Sequence, residues 1–291
     1  MLIALYAGRR LAFGAASTLG LAVLVFGLMQ LIPGSVVSQL VDRATASSPE
    51  RLAQIEAFLG LDLPWYSQLW NWLSGVARGD LGDSWRSRIP VADLLFPRLA
   101  VTLQLAAMAT LVSVALGVPG GIAAAVRRGR LVDSATRVAS LIALSVPVFW
   151  MGSMFILVFS LRFDWSPALV WVSPGEDLGG NLRMMILPAI ALGLAGAAPL
   201  VRMTRNSLLE VMGQNYIRTA RSTGSSESRI LMGHALRNAI IPVLTSAGLQ
   251  FGFLLGGAIV IEEVFSLPGI GRLLLQAISQ RDFPVVQACI L

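Results

Sequence analysis

Lysine is absent from this 291-residue chain, so all 22 of its basic residues are arginine. A Walker A phosphate-binding loop needs a lysine that reaches the β- and γ-phosphates of a nucleotide. The chain therefore cannot hydrolyse ATP through such a loop, and any energy from ATP must reach it through another protein.

Cysteine and histidine each occur once, as Cys289 and His234. A single cysteine excludes an intramolecular disulfide, and one cysteine with one histidine cannot build a structural zinc site. No Ser–His–Asp triad is predicted, because the only histidine lies among arginines in a polar loop. We expect neither a catalytic residue nor a bound metal ion or other cofactor in this chain.

Charged residues make up only 13% of the chain and hydrophobic residues 55%, whereas soluble domains carry about 25% charged residues. A helix needs about 20 apolar residues to cross a bilayer. The uncharged runs that predict such helices are Leu11–Ile32, Leu99–Val126, Val138–Leu161, Met184–Val201 and Asn238–Ile261. A sixth run starts near Phe283 and stops at Leu291, so we expect a sixth helix that is truncated here. The predicted fold is all-α, a polytopic membrane protein with a large outer segment after helix 1.

The interiors of the five complete runs are uncharged, and their polar side chains, such as Thr102, Gln104 and Gln250, are few. Ion-coupled secondary transporters usually place ionisable residues inside their spans, so that class is the less favoured alternative. A membrane subunit with no transport role is a further alternative. Because the spans offer no specific group that would recognise a ligand, the substrate-binding residues stay unknown.

The distribution of arginine predicts the orientation in the membrane. Alternating spans place residues 1–10, 127–137 and 202–237 on one side, which carries twelve arginines against three acidic residues. Because positive charge concentrates on the inner side, we expect a cytosolic N-terminus, with helix 1 retained rather than cleaved as a signal peptide. The net charge of +6 then reflects topology, and no nucleic-acid partner is expected.

The outer segment that follows the Pro33–Gly34 end of helix 1 is rich in tryptophan. Trp65, Trp70 and Trp72 alternate with polar residues, a pattern typical of a helix that lies in the headgroup layer. One interpretation is an aromatic belt that anchors the protein in membrane lipid. The other is a docking rim for an external partner.

Two prolines and three glycines lie inside the predicted spans. Pro119 and Pro147 are tolerated where neighbouring helices satisfy the freed carbonyl groups, and each is either a harmless kink or a hinge in a gated pathway. Gly248, Gly252 and Gly256 recur four residues apart, which predicts a close helix-packing face. The sequence does not say whether the partner helix belongs to this chain or to another subunit.

The loop between the fourth and fifth runs has a pattern that a simple connection does not need. Met212, Tyr216 and Ala220 recur four residues apart, so they are predicted to share one helix face that ends at Gly224. Glycine favours a left-handed C-terminal cap. Ser225 or Ser226 would cap the next helix, with Glu227 in its first turn. Such a shaped, basic loop is either a surface that another protein grips or a segment lying on anionic headgroups.

Several separated motifs resemble one family. Arg218-Thr219-Ala220, followed after three residues by Gly224, resembles the E-A-A-x-x-x-G loop of permease subunits of ABC importers. The string YIRTARSTG…HALRNAIIP and the outer segments GDLGDS, LGLDLPWYSQLWNWL and FSLPGIGRLLLQAISQRDFPVVQ are similar to the B-type subunit of the dipeptide and oligopeptide permeases. The resemblance implies a six-helix type I ABC importer permease.

The resemblance also implies a coupling loop at 212–242, within a permease core at 95–291 that follows a first unit at 1–94. The implied ATPase-coupling residues are Tyr216, Arg218, Thr219, Ala220, Arg221, Gly224, Ser226 and Glu227. Ala220 and Gly224 match the second alanine and the glycine of the motif. Arg218 and Thr219 stand where the generic motif has glutamate and alanine.

The implied function is ATP-driven uptake of di- or oligopeptides across the cytoplasmic membrane by alternating access. Similar permeases move nickel, glutathione or haem, and these substrates stay open as alternatives. The implied partners are a C-type permease subunit, two ATPase subunits that would bind ATP and magnesium, and an extracytoplasmic substrate-binding protein.

Overall fold

The computed structural model describes residues 2–31, 49–166 and 170–291. Its helices are α1 (Leu2–Gln30), α2 (Pro49–Phe58), α3 (Trp65–Ala77), α4 (Val91–Val126), α5 (Leu131–Ser145), α6 (Val148–Phe163), α7 (Leu178–Met212), α8 (Asn215–Ser222), α9 (Glu227–Arg229), a π-helical segment (Ile230–Ala235), α10 (Leu236–Gly257), α11 (Ile259–Val264), α12 (Ile270–Gln280) and α13 (Phe283–Ile290). Within these ranges no strand occurs, apart from one isolated bridge between Asp83 and Pro90. The predicted all-α class is confirmed.

Four of the described helical stretches are long and apolar enough to cross a membrane. They are residues Leu5–Gln30 of α1, all of α4, all of α7, and the stretch Glu227–Gly256 from α9 into α10. Helices α5 and α6 together pass the same test as a bent pair, which gives up to five spans. These spans agree with the five predicted runs. The predicted end of helix 1 at Pro33 and Gly34 lies outside the described residues.

The third predicted span is broken rather than merely kinked. Helices α5 and α6 meet at an angle of 96°, and Pro147 lies at the N-terminal boundary of α6 instead of inside a helix. Proline disfavours helical backbone in the residue before it, and Val146 is accordingly extended, with φ −82° and ψ 121°. The prediction that Pro147 lies inside a helix was therefore wrong, whereas Pro119 does lie inside α4.

The residues fall into two units by their contacts, Met1–Leu99 with Leu273–Leu291, and Ala100–Arg272. The predicted domains, 1–94 and 95–291, instead assign the last residues to the core, and that division stays a prediction. Each unit has its own apolar cluster, because each buries one face of its helices. The buried members are Val91, Leu273, Ala277, Val285, Val286 and Ala288 in the first unit, and in the second Val101, Leu105, Ala109, Met185, Leu187, Ala189, Ala191, Leu192, Ala258, Ile261, Phe265 and Leu267.

Helix α3 of the first unit shows two different faces. Trp72 is partly buried and stacks on Phe26 with ring centroids 6.5 Å apart. Trp65 and Trp70 are 62% and 72% exposed, although the Trp65 ring contacts that of the exposed Tyr66, with ring centroids 5.9 Å apart. An exposed aromatic face fits both interpretations of this segment, an anchor in lipid or a docking rim.

Candidate functional site

One fully buried side chain packs helix α8 against the other helices of the second unit. Ile217 is 0% exposed and belongs to a cluster with Ala125, Leu208, Ile230 and Ala239. These partners come from the end of α4, the end of α7, the π-helical segment and α10. Helix α8 is thus packed directly against the ends of the three long helices α4, α7 and α10.

The predicted face of this helix differs in detail from the observed one. Met212 is the last residue of α7, and the chain breaks at Gly213 before α8 begins at Asn215. Met212 and Ala220 both pack against the buried cluster as partly buried residues, whereas Tyr216 is 43% exposed. The four-residue repeat was wrong as a single helix face because it crosses this break. The apolar residue that the repeat missed is Ile217.

The predicted glycine break is confirmed. Gly224 has a φ of +82°, and its N–H donates to the Arg221 carbonyl at 3.0 Å. The N–H of Ser225 reaches back to the Ala220 carbonyl at 3.1 Å. Only glycine adopts this backbone without cost, so the sequence fixes the direction in which the chain leaves α8.

An ion pair spans the glycine turn. The Arg221 Nε donates to Glu227 Oε1 at 2.7 Å, and its Nη2 donates to Oε2 at 3.1 Å. Both side chains are exposed, so solvent screens the pair and its contribution to stability is small. Its bidentate geometry nevertheless fixes the spacing of α8 and α9. Ser226 occupies the N-cap position of α9, but its side chain makes no capping hydrogen bond, contrary to its predicted role as a cap.

The outward side of the loop is polar and basic. Tyr216 Oη accepts a hydrogen bond from Asn238 Nδ2 at 2.8 Å, which ties α8 to the start of α10. Arg218, Thr219 and Ser226 are exposed. Within the described part of the chain, Arg218 forms no ion pair. The surface thus presents an unpaired cationic group at Arg218, beside the hydroxyl groups of Ser226 and of Thr219, which donates to the Asn215 carbonyl at 3.3 Å.

A buried ion pair supports the same end of the bundle, and sequence reasoning missed it. Asp133 is 1% exposed and accepts bonds from Arg205 Nε at 2.7 Å and Nη2 at 2.9 Å. It also accepts the N–H of Gly129 at 3.0 Å. A buried carboxylate persists when several donors satisfy it. The pair holds the turn before α5 against α7, and no spacing rule connects residues 72 apart in the chain.

Helix packing in the second unit depends on glycines other than the predicted ones. A Cβ at Gly248, Gly252 or Gly256 would meet no atom within 4 Å. No side chain or helix among the described residues covers those three positions, and their proposed packing role stays a prediction about another subunit. Close approach occurs instead on α4, where a Cβ at Gly117 would lie 2.6 Å from Leu200 Cβ of α7.

Two adjacent glycines of α4 give a matched test of this packing. A Cβ at Gly121 would lie 2.5 Å from Thr204 Cβ and 2.7 Å from the Val201 carbonyl, whereas one at Gly120 lies 3.3 Å from its nearest neighbour, Val201 Cγ2. We expect Gly121→Ala to destabilise the protein by about 1–3 kcal/mol through overpacking, and Gly120→Ala to cost much less. Thermal unfolding of both variants in detergent measures the difference, and equal midpoints would contradict the close contact.

Polar side chains inside the spans connect helices to one another. Gln250 Nε2 donates to Ser113 Oγ at 2.8 Å, and Ser113 Oγ donates to the Gly193 carbonyl at 2.9 Å. Gln104 donates in the same way to the buried Asn181 Oδ1. These groups satisfy each other, as buried polar groups must. Among the residues that the structure describes, no group of three or more histidine, cysteine or acidic residues is placed to hold a metal ion.

The start of α12 is held by a buried carboxylate. Glu262 is 0% exposed; its Oε1 accepts the Thr102 hydroxyl at 2.6 Å and its Oε2 accepts the Arg272 N–H at 3.1 Å. Thr102 Oγ1 in turn accepts the Ile270 N–H at 2.9 Å. Burial raises the pKa of Glu262, while these hydrogen bonds oppose the shift. A Cβ at Gly269 would overlap the Glu262 carboxyl group. The turn at Pro268 and Gly269 therefore needs glycine at this position to leave room for the acid.

Comparison with known proteins gives consistent results along the chain. The family model described as "Binding-protein-dependent transport system inner membrane component" matches residues 117–291. The chain is 41% identical to the dipeptide transport system permease protein DppB of Escherichia coli (strain K12), over 97% of this chain and 90% of that protein. It is 43% identical to a putative peptide transport system permease protein of Brucella abortus (strain 2308), over 93% and 85%.

Two further similarities concern a different substrate and a solved structure. The chain is 42% identical to the glutathione transport system permease protein GsiC of Escherichia coli O6:H1, over 93% of this chain and 85% of that protein. Its structure is similar to a chain of the MetNI methionine ABC transporter in inward-facing conformations, with a TM-score of 0.50. That match covers 67% of this chain and 88% of the other at 19% identity, and it supports the fold alone.

Proposed function

Because the chain belongs to the family of inner membrane components of binding-protein-dependent transport systems, we propose that it is the permease subunit of an ATP-driven importer of di- and oligopeptides. It is a multi-pass inner membrane protein, and its relatives are transport permeases. Relatives named for dipeptide, peptide and glutathione transport support a peptide substrate over nickel or haem.

The proposed mechanism is alternating access driven through the loop at 216–236. Two ATPase subunits, which would carry ATP and magnesium, bind the cytosolic side of the permease at α8. A C-type permease subunit forms the translocation pathway together with this chain. A substrate-binding protein delivers the peptide on the other side. The N-terminus is cytosolic in this arrangement, since the arginine-rich segments 1–10, 127–137 and 202–237 share its side.

One observation carries the proposal, namely the burial of Ile217 among residues from three long helices. A loop that only lay on headgroups would not need a fully buried anchor or a left-handed turn at Gly224. Because the anchor joins α8 to the ends of α4, α7 and α10, force applied to α8 shifts those helices together. The exposed Arg218, Thr219 and Arg221 are the proposed contacts with the ATPase.

The direct test is reconstitution of the chain with its permease partner, ATPases and binding protein in liposomes. We expect dipeptide uptake that requires ATP and persists when an uncoupler collapses the proton gradient. Uptake by this chain alone on an ion gradient would instead identify a secondary transporter. Failure of an ATPase to co-purify with the chain would favour a membrane subunit with no transport role.

A substitution of Ile217, the buried residue that anchors α8, tests its role in coupling. Ile217→Ala removes a fully buried side chain, which costs about 2–5 kcal/mol at such sites, and we expect α8 to loosen from the bundle. Fewer peptides should then enter per ATP hydrolysed in the reconstituted complex. Ser222→Ala, at an exposed position of the same helix, is the control. If both variants keep the wild-type ratio, the anchor does not transmit force.

A further inference from the structure

Two apolar cavities meet at the inner end of α4. One has a volume of about 460 Å³ and is walled by Leu208, Leu209, Met212 and Leu231 among others. The second, of about 390 Å³, follows α4 from Pro119 past Ile122 and Ala123 to Arg127. Val126 lines both cavities. Together they form a groove along the end of α4, with an apolar interior and a cationic end.

The cationic end carries arginines that no acid neutralises. Arg127, Arg128 and Arg130 are exposed, and within the described residues they form no ion pair. The nearest acid in sequence, Asp133, is occupied by Arg205 and by the Gly129 N–H. Arg127 lines the second cavity, and Arg128 and Arg130 follow it within three residues. Such unpaired guanidinium groups have the chemistry to hold an anionic headgroup.

The other end of the groove does not attract an anion. Arg221 lines it, but Arg221 is already paired with Glu227, which lines the same cavity. The Glu227 carboxylate would repel a second negative group, since like charges at short range disfavour each other. A phosphate is therefore expected at the Arg127 end, with an apolar tail directed along Ile122, Ala123 and Val126.

We propose that this groove binds one anionic phospholipid of the inner leaflet, with its phosphate at Arg127–Arg130. Basic pockets between helices on the cytoplasmic side bind anionic headgroups, and the groove offers matching walls for an acyl chain. The assignment to the inner leaflet rests on the topology in the proposed function. A lipid in this position lies along the end of α4, and Ile122 and Ala125 of that helix contribute to the cluster that holds Ile217 of α8. The lipid therefore stabilises the helix end against which the proposed coupling helix packs.

The test uses the assembled transporter in nanodiscs that contain phosphatidylglycerol, phosphatidylcholine or both, and counts retained lipids by native mass spectrometry. We expect phosphatidylglycerol to be retained in preference. The double variant R127Q/R128Q should bind it roughly 30-fold more weakly, given the usual contribution of an arginine near anionic lipid. Arg237→Gln is the control, because Arg237 is exposed on the same predicted side and lines neither cavity.

A second variant tests the acyl-chain part of the groove without a change of charge. Ala123→Phe places a ring in the apolar wall and should reduce retention of both lipids, while gel filtration confirms that the complex stays assembled. Equal retention of the two lipids by the wild type, or an equal loss in Arg237→Gln, would overturn the proposal. So would loss of the lipid whenever the ATPases are bound, because the groove would then belong to a protein partner. Loss of ATP-driven uptake alone would count against the proposed function and leave the lipid site standing.

Discussion

Replacement of Gly224 by valine is expected to uncouple ATP hydrolysis from peptide uptake. Gly224 has a φ of +82°, a conformation that costs an ordinary L-residue about 1–2 kcal/mol and a β-branched residue more. A cost of that size lowers the ratio of native to non-native turn by a factor of about 5–30. We therefore expect uptake by the reconstituted complex to fall, by at most a similar factor, while the ATPases continue to hydrolyse ATP.

Asparagine at the same position separates two explanations for such a loss. Asparagine tolerates the left-handed conformation, and a Cβ at Gly224 meets no atom within 4 Å, so Gly224→Asn should keep the turn and most of the uptake. If both variants are uncoupled, contact of the side chain with the ATPase, rather than backbone strain, is responsible. Normal uptake by Gly224→Val would refute the coupling role of the turn.

The spans were predictable from the sequence because lipid imposes a simple rule of length and polarity. Each of the five uncharged runs corresponds to a helix or helix pair in the structure. The 96° break between α5 and α6 was not predictable, since Pro119 and Pro147 look alike in the sequence. Pro119 continues inside α4, whereas Pro147 starts a new helix. The difference depends on what packs around each proline.

The loop was predicted well in outline and less well in its contacts. The glycine break depends on local backbone preference, which short-range sequence shows. The buried face depends on tertiary packing. Met212 and Ala220 of the predicted repeat do pack against the cluster, but Tyr216 stays exposed and the fully buried residue is Ile217. The signal that would have found it is that Ile217 is the one aliphatic branched residue in an otherwise polar helix.

Glycine spacing alone did not identify the packed faces within this chain. Gly248, Gly252 and Gly256 form a regular repeat but stand open, whereas Gly121 and Gly193 approach side chains closely. A glycine repeat shows that a helix face permits close packing. Whether close packing occurs depends on a neighbouring helix at that face. Long-range pairs such as Asp133 with Arg205 are hidden for the same reason, because their charges lie in different helices.

A neutral replacement of the buried acid at the start of α12 is expected to lower the stability of the protein strongly. In Glu262→Gln one oxygen can still accept the Thr102 hydroxyl, but the amide nitrogen faces the N–H donors of Gly271 and Arg272. Each buried donor left without an acceptor costs about 1–3 kcal/mol, so two such donors give a total loss of roughly 2–6 kcal/mol. Thermal unfolding of the purified protein in detergent measures it.

The neighbouring acid supplies the control, and pH supplies a second readout. Glu263 is exposed and lies 3.5 Å from the Arg272 Nε, so Glu263→Gln should cost less than about 1 kcal/mol. Burial raises the pKa of Glu262 in the folded protein. The pH-dependent stability that Glu262 contributes is therefore greatest at low pH, and it is lost as the pH rises through that raised pKa. Glu262→Gln should abolish this part of the pH dependence and Glu263→Gln should retain it. Equal unfolding midpoints for the two variants at every pH would show that the carboxyl group does not hold α12.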